Sequence, residues 1–320
     1  MSTTRRTAGA TGSVPAVRGV AVPDASALLG TAVWVGAVLA GTLGTVPRAL
    51  ALAPLVLVPL GVGMAGRAPF PGLAGQCLRA AVWLQPVGAL GFTASLALAV
   101  DGTTAATLAA PWLLVTGLLG LAALVRTLDR GGLALPETAI DAGLAYVSVG
   151  AVALLLYHLN TTFWFGSTII LLTAVHFHYA GFVLPVVTGL TGRSGHLDST
   201  RWQALVGVIL LGPAIIAVGI SFSPLVEVVA VGGFTVAVAL FGWYVLVCIA
   251  PTRPRGQAVL LGASAVALPV SMALALGYGV STFSGLDLGL DIATMVALHG
   301  SLNAFGFALG GLVGWRLAVP

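Results

Sequence analysis

Residues 202–222 read WQALVGVILLGPAIIAVGISF, an unbroken run without one charged side chain. A helix of that length is about 30 Å long at 1.5 Å per residue, the thickness of a bilayer's hydrocarbon core. The same ruler, moved outward along the chain, gives ten candidate spans: 26–46, 49–66, 80–100, 105–125, 139–159, 164–190, 202–222, 226–250, 258–279 and 289–317. The second is short and carries Pro54 and Pro59, which makes it the least secure. The runs are rich in Ala, Leu and Gly and lack period-two alternation, so membrane strands are not expected.

Composition agrees. Of 320 residues 58% are hydrophobic and 7% are charged. Ordinary soluble domains carry about 25% charged residues, so these few charges could not cover a water-soluble surface. Intrinsic disorder, which needs low hydrophobicity and high charge, is excluded as well. The expected fold is all-α: a polytopic transmembrane helix bundle of about ten spans in the cell membrane. Residues 1–25 read as a disordered basic cytoplasmic tail, and 26–320 as a single transmembrane domain. The Arg5–Arg6 pair stands too far from the first apolar run to read as a cleaved signal. Cys77 and Cys248 are too few for a disulfide framework.

Orientation follows from arginine, since the chain has no lysine. Threading ten spans puts every arginine except Arg48 on the side that carries both termini. Basic residues stay on the cytoplasmic side, so both termini are expected there. The basic net charge of +4 therefore reflects sidedness, and no nucleic-acid partner is expected.

Polar groups at mid-depth in a membrane are costly and are functional candidates by default. Two stretches supply them. The sixth span contains His176-Phe-His178-Tyr179-Ala-Gly-Phe-Val-Leu-Pro185, and the tenth contains His299-Gly-Ser-Leu-Asn303-Ala-Phe-Gly306. Both spans run from outside to inside, and helical rise puts His176, His299 and Asn303 about 15–21 Å from the outer end, near the midplane. His299, Asn303, Gly306 and Gly310 share a helical stripe, and Gly306, Gly310 and Gly314 have the spacing of closely packed membrane helices. His176 and His178 differ by about 200° and so face opposite ways, which rules them out as a local chelating pair. Pro185 removes a backbone donor and frees a carbonyl near Gly181. Glu227 and Asp291 open the eighth and tenth spans outside, as an outer vestibule, whereas Asp141 suits the inner N-terminus of the fifth.

The substrate-contacting set expected from these residues is His176, His178, Tyr179, His299, Asn303 and Glu227, with the lipid bilayer and a small-molecule or lipid-soluble ligand as partners. One reading is a protein that binds or transports a small solute, with histidine able to couple protons. No clearly unwound helix and no midplane carboxylate is visible in its favour. The alternative is a membrane-embedded isomerase, cyclase or hydratase, in which a histidine acts as general acid or base on a lipid-soluble substrate. A bland reading is that the polar groups merely glue helices together. Haem or metal binding is a lesser alternative, because no histidine lies four residues from another and no Cys or carboxylate shares their depth. No cofactor and no metal are expected.

The two stretches, from His176 to Pro185 and from His299 to Phe307, resemble the signatures of the YndJ-like bacterial membrane proteins. The resemblance implies a multi-pass, transporter-like membrane protein. It carries His176, His178, Tyr179, His299 and Asn303 over as motif positions only.

Overall fold

The computed structural model describes residues 14–195 and 200–320. Among these residues ten helices are long and apolar enough to cross a membrane: α1 (Val22–Leu39), α2 (Thr45–Ala65), α3 (Gly72–Ala97), α4 (Gly102–Arg130), α5 (Glu137–His158), α6 (Ser167–Ser194), α7 (Thr200–Phe222), α8 (Pro224–Thr252), α9 (Arg255–Ser284) and α10 (Ile292–Leu317). Each expected span has its helix. The protein is an integral, multi-pass membrane protein.

The chain is ordered earlier than a tail over 1–25 would have it. Strand β1 (Ala16–Val17) pairs antiparallel with β2 (Val20–Ala21). The turn between them holds Arg18 at φ 50° and Gly19 at φ 82°, the left-handed pair that a two-residue hairpin needs. Val14 packs onto Gly66 at the end of α2, where a Cβ would lie 2.5 Å from the valine Cγ1. Helix α1 then starts at Val22, with Pro23 in its first turn, where the missing N–H costs nothing. Residues 1–13 of the expected tail lie outside the described residues.

Helix α2, the least secure span by sequence, is the most deeply packed of the ten. Its prolines explain both facts. Around Pro54 the helix widens into a π segment, Ala53–Leu57, and the Ala53 N–H bonds to the Leu50 carbonyl. Two carbonyls freed by this break take donors from neighbouring helices. Tyr179 Oη of α6 donates to the Ala49 carbonyl at 2.6 Å, and Gln85 Nε2 of α3 donates to the Pro54 carbonyl at 2.7 Å. The broken backbone is thus what ties α2 to α3 and α6. Tyr179→Phe leaves the Ala49 carbonyl without its donor and should lower stability by about 1–3 kcal/mol. Heat unfolding of the purified protein in detergent reads this, and an unchanged midpoint would refute it.

The arginine-bearing side is closed by ion pairs. Arg126 of α4 meets Asp141 of α5 through Nε at 2.7 Å and Glu137 through Nη1 at 3.0 Å. Arg130 Nη2 and Thr127 Oγ1 complete Asp141 at 2.9 and 3.0 Å. Arg193 of α6 holds both oxygens of Glu137, at 2.6 and 2.8 Å, and donates to the carbonyls of Met64 and Ala65 at the end of α2. Each arginine lies near a helix C-terminus and each acid near an N-terminus, where the backbone dipoles favour them. At the same level Arg316 of α10 grips Asp24 of α1 with two hydrogen bonds, joining the last helix to the first. The start of α1 and the end of α10 therefore lie on one side, the arginine-rich side that the charge rule makes cytoplasmic.

Packing on that side is dense. Every residue of α6 from 181 to 192 is buried. The small residues of α10 close onto α9: a Cβ on Gly306 would stand 2.7 Å from Ala267 Cβ, and one on Gly311 2.8 Å from Ser264 Oγ. Of the expected close-packing series Gly306 and Gly314 make tight approaches, Gly314 at 3.0 Å from Leu261, whereas at Gly310 a Cβ would meet only ordinary contacts from 3.7 Å, and Gly311 takes its place.

Candidate functional site

The outer halves of α6 and α10 pack differently from the inner halves. In α6, Ile170, Ala174 and His178 form one buried stripe, while His176 on the opposite side is exposed. In α10, no residue from 291 to 303 is buried, although a helix lodged in a bundle should hide one position in every three or four. From Ala304 inward burial returns. The protein thus leaves α10 uncovered from its outer end down to about the level of Asn303.

At the inner end of that uncovered stretch the two motifs meet. The rings of His176 and His299 lie 6.3 Å apart between centroids. His299 Nδ1 is 2.9 Å from the backbone carbonyl of Ser271 in α9. A carbonyl only accepts, so Nδ1 carries the proton and Nε2 is left with a lone pair. Asn303 Nδ2 stands 3.2 Å from that Nε2 and 2.6 Å from Ser271 Oγ. Its two N–H groups are therefore both engaged, and its Oδ1 turns elsewhere. Ser271 Oγ donates in turn to the His299 carbonyl at 3.2 Å. His176 Nδ1 lies 2.7 Å from the Leu172 carbonyl one turn back, which fixes the same tautomer and leaves Nε2 unoccupied.

Ser271 is the residue that sequence reasoning missed. A lone serine in an apolar helix carries little signal; its place two residues past Pro269, at the depth of the histidines, was the available clue. Local geometry also changed the tenth helix. Residues 296–300 and 302–309 are π-wound, and α6 (Tyr179–Val183), α2 and α8 (Val245–Ile249) carry π segments too. Such segments often occur at functional sites. The sequence showed no unwound helix because only the prolines of α2 and α6 announce a break.

The other expected site residues lie elsewhere. His178 is fully buried on the far side of α6. Its Nδ1 bonds the Ala174 carbonyl at 2.7 Å, and its Nε2 accepts from Trp112 Nε1 of α4 at 3.0 Å. Phe92 packs edge-on against the ring, with centroids 5.4 Å apart, and Gly150 of α5 leaves room for it, since a Cβ there would stand 2.5 Å from Nδ1. Tyr179 is taken up by the Ala49 carbonyl. Glu227 lies in the first turn of α8 over Gly219 of α7, eight residues before Thr235, whose hydroxyl reaches the Met272 carbonyl beside Ser271. At helical rise that puts Glu227 about 12 Å above the histidine layer. Asp291 caps α10 by accepting from the Thr294 N–H at 2.7 Å, and this bond holds its carboxyl below the usual carboxylate range. Among the described residues no group of three or more His, Cys, Asp or Glu side chains is placed to hold a metal ion.

The family model described as YndJ-like protein matches residues 48–307, a stretch that takes in both histidine motifs. The uncharacterized membrane protein YndJ of Bacillus subtilis (strain 168) is 35% identical over 208 residues, which make up 64% of this chain and 37% of that relative. The chain thus matches well under half of the length of that relative. No solved structure matches.

Proposed function

This chain belongs to the YndJ-like family, and from that premise we propose that it binds a small solute at the His176–His299–Asn303 layer and passes it across the membrane. The observation that carries this reading is the contrast within α6 and α10. Their outer halves leave side chains uncovered by protein, which supports a path from the arginine-poor face to the midplane, while their inner halves are packed through glycines and ion pairs. A site near the middle of the bilayer, open on one side and closed on the other, is one end of an alternating-access cycle. Backbone irregular enough to rearrange lies next to it, in the π segments of α2, α6 and α10. Histidine gives such a site a group that can take up and release a proton.

Cysteine labelling tests the path. With Cys77 and Cys248 replaced by serine, Thr173→Cys and Met295→Cys should react with a membrane-impermeant thiol reagent applied from the arginine-poor face. Val187→Cys, in the buried inner half of α6, should not. Equal protection of all three would remove the vestibule and with it the transport reading.

One observation favours a second reading. A shallow apolar groove of about 650 Å³ is lined by Leu246 of α8, Ala258 to Val270 of α9 and Leu302 of α10, the residue before Asn303. A lipid-soluble substrate entering sideways from the bilayer would use it, and His176 would then act as general base. In that case the thiols stay protected from the aqueous reagent and react with a membrane-permeant one.

A further inference from the structure

We propose that His176 is the proton-carrying residue of this site and that His299 is its fixed neutral partner. The inference deepens the transport reading and rests on it for its purpose, though not for its evidence, which is an account of hydrogen-bond donors and acceptors. His299 Nδ1 lies 2.9 Å from the Ser271 carbonyl and 3.0 Å from Ser271 Oγ, and since a carbonyl only accepts, Nδ1–H is shared between these two oxygens; both N–H groups of Asn303 are taken by Ser271 Oγ and His299 Nε2, and the Ser271 hydroxyl is taken by the His299 carbonyl. His176 Nδ1–H is taken by Leu172. Every polar hydrogen of the cluster is therefore used inside it. Two acceptors remain without a partner among the described residues, His176 Nε2 and Asn303 Oδ1.

The two imidazoles are consequently unequal. A proton arriving from water in the outer path adds to the free lone pair of His176 Nε2, and no existing bond has to break. A proton on His299 Nε2 would instead face the Asn303 amide hydrogen already bonded there, so it would first displace that bond. His176 is also exposed, whereas the Ser271–Asn303 framework holds His299 in place. The surroundings of His176 add no carboxylate. From α10 it faces His299, and α2 on its flank carries Arg48 in its first turn. From α5, Tyr146 lies against the neighbouring Phe177 with its hydroxyl engaged at the Leu210 carbonyl of α7. Arg201, the one charged residue of α7, sits at its inner end. On its own helix, His178 and Tyr179 point into α4 and α2.

Protonation of His176 would give the cluster its only free N–H donor together with a positive charge. A solute group that accepts hydrogen bonds would then be held only in the company of a proton, which is what coupling requires.

The test uses the proton alone as ligand. In the full-length protein labelled with ¹⁵N-histidine and reconstituted in lipid, solid-state nuclear magnetic resonance distinguishes the two neutral tautomers and the imidazolium, with His176→Ala and His299→Ala used for assignment. At high pH both residues should show Nδ1–H. On acidification His176 should bind its second proton at least about tenfold more tightly than His299. In Asn303→Leu, which frees His299 Nε2, that gap should close. An Nε2–H tautomer at His176, simultaneous titration of the two rings, or His299 titrating first would each overturn the proposal. These spectra do not depend on the vestibule, so protected thiols with the expected titration would reject transport and leave the proton assignment standing.

Discussion

Replacing Asp141 with alanine is expected to destabilise the bundle by about 3–5 kcal/mol, the cost of leaving a buried charge without its partner. The charge in question is Arg126. Its side chain is 5% exposed, as is that of Asp141, and its guanidinium lies 3.9 Å from the centre of the Phe70 ring. Without Asp141, Arg126 keeps only Glu137, which Arg193 already holds through both oxygens. Arg130 and Thr127 lose their acceptor in the same step. The value of the pair is the penalty avoided and not a net gain, so Asp141→Ala combined with Arg126→Met should recover a large part of the loss. Unfolding of the single and double variants in detergent measures this. A double variant as unstable as the single, or a single variant as stable as the parent, would contradict the account. Because these residues join α2, α4, α5 and α6 at the arginine-bearing face, the same variants should also open that face, and labelling of Val187→Cys in the Asp141→Ala background reads it.

The second large effect separates two histidines that lie two residues apart. His178→Ala should cost about 3–5 kcal/mol, from the cavity left among Phe92, Trp112 and Gly150 and from the Trp112 indole N–H stranded without an acceptor. His176→Ala should stay within about 0.5 kcal/mol of the parent, because the ring is exposed and bonds only its own helix. The reverse pattern is expected of function: loss of proton uptake with His176→Ala, in a protein that still folds. If both variants unfold alike, His176 is a packing residue and the site has no separate existence.

The motif His-Phe-His-Tyr thus mixes two roles that look alike in one dimension. Residue spacing says that His176 and His178 face opposite ways, since 200° is a property of any helix. It cannot say which of them faces protein on all sides. That was decided by Gly150 and Trp112, two residues on other helices that make a slot with a donor at its end. Tyr179 likewise read as a ligand contact, and it proved to be the donor for a carbonyl released by prolines in a distant helix.

The sequence by itself determined the number of spans, their direction, and the depth of His176, His299 and Asn303. Bilayer thickness, helical rise and the sidedness of arginine act on each segment alone and need no neighbours. The tertiary structure alone decided which polar groups are satisfied. A hydrogen bond depends on what a second helix presents at the same height, and neither Ser271 nor the pairing of Asp141 with Arg126 is visible until the helices pack. The exposure of His176 was decided there as well, because it depends on which flanks of a helix its neighbours leave uncovered.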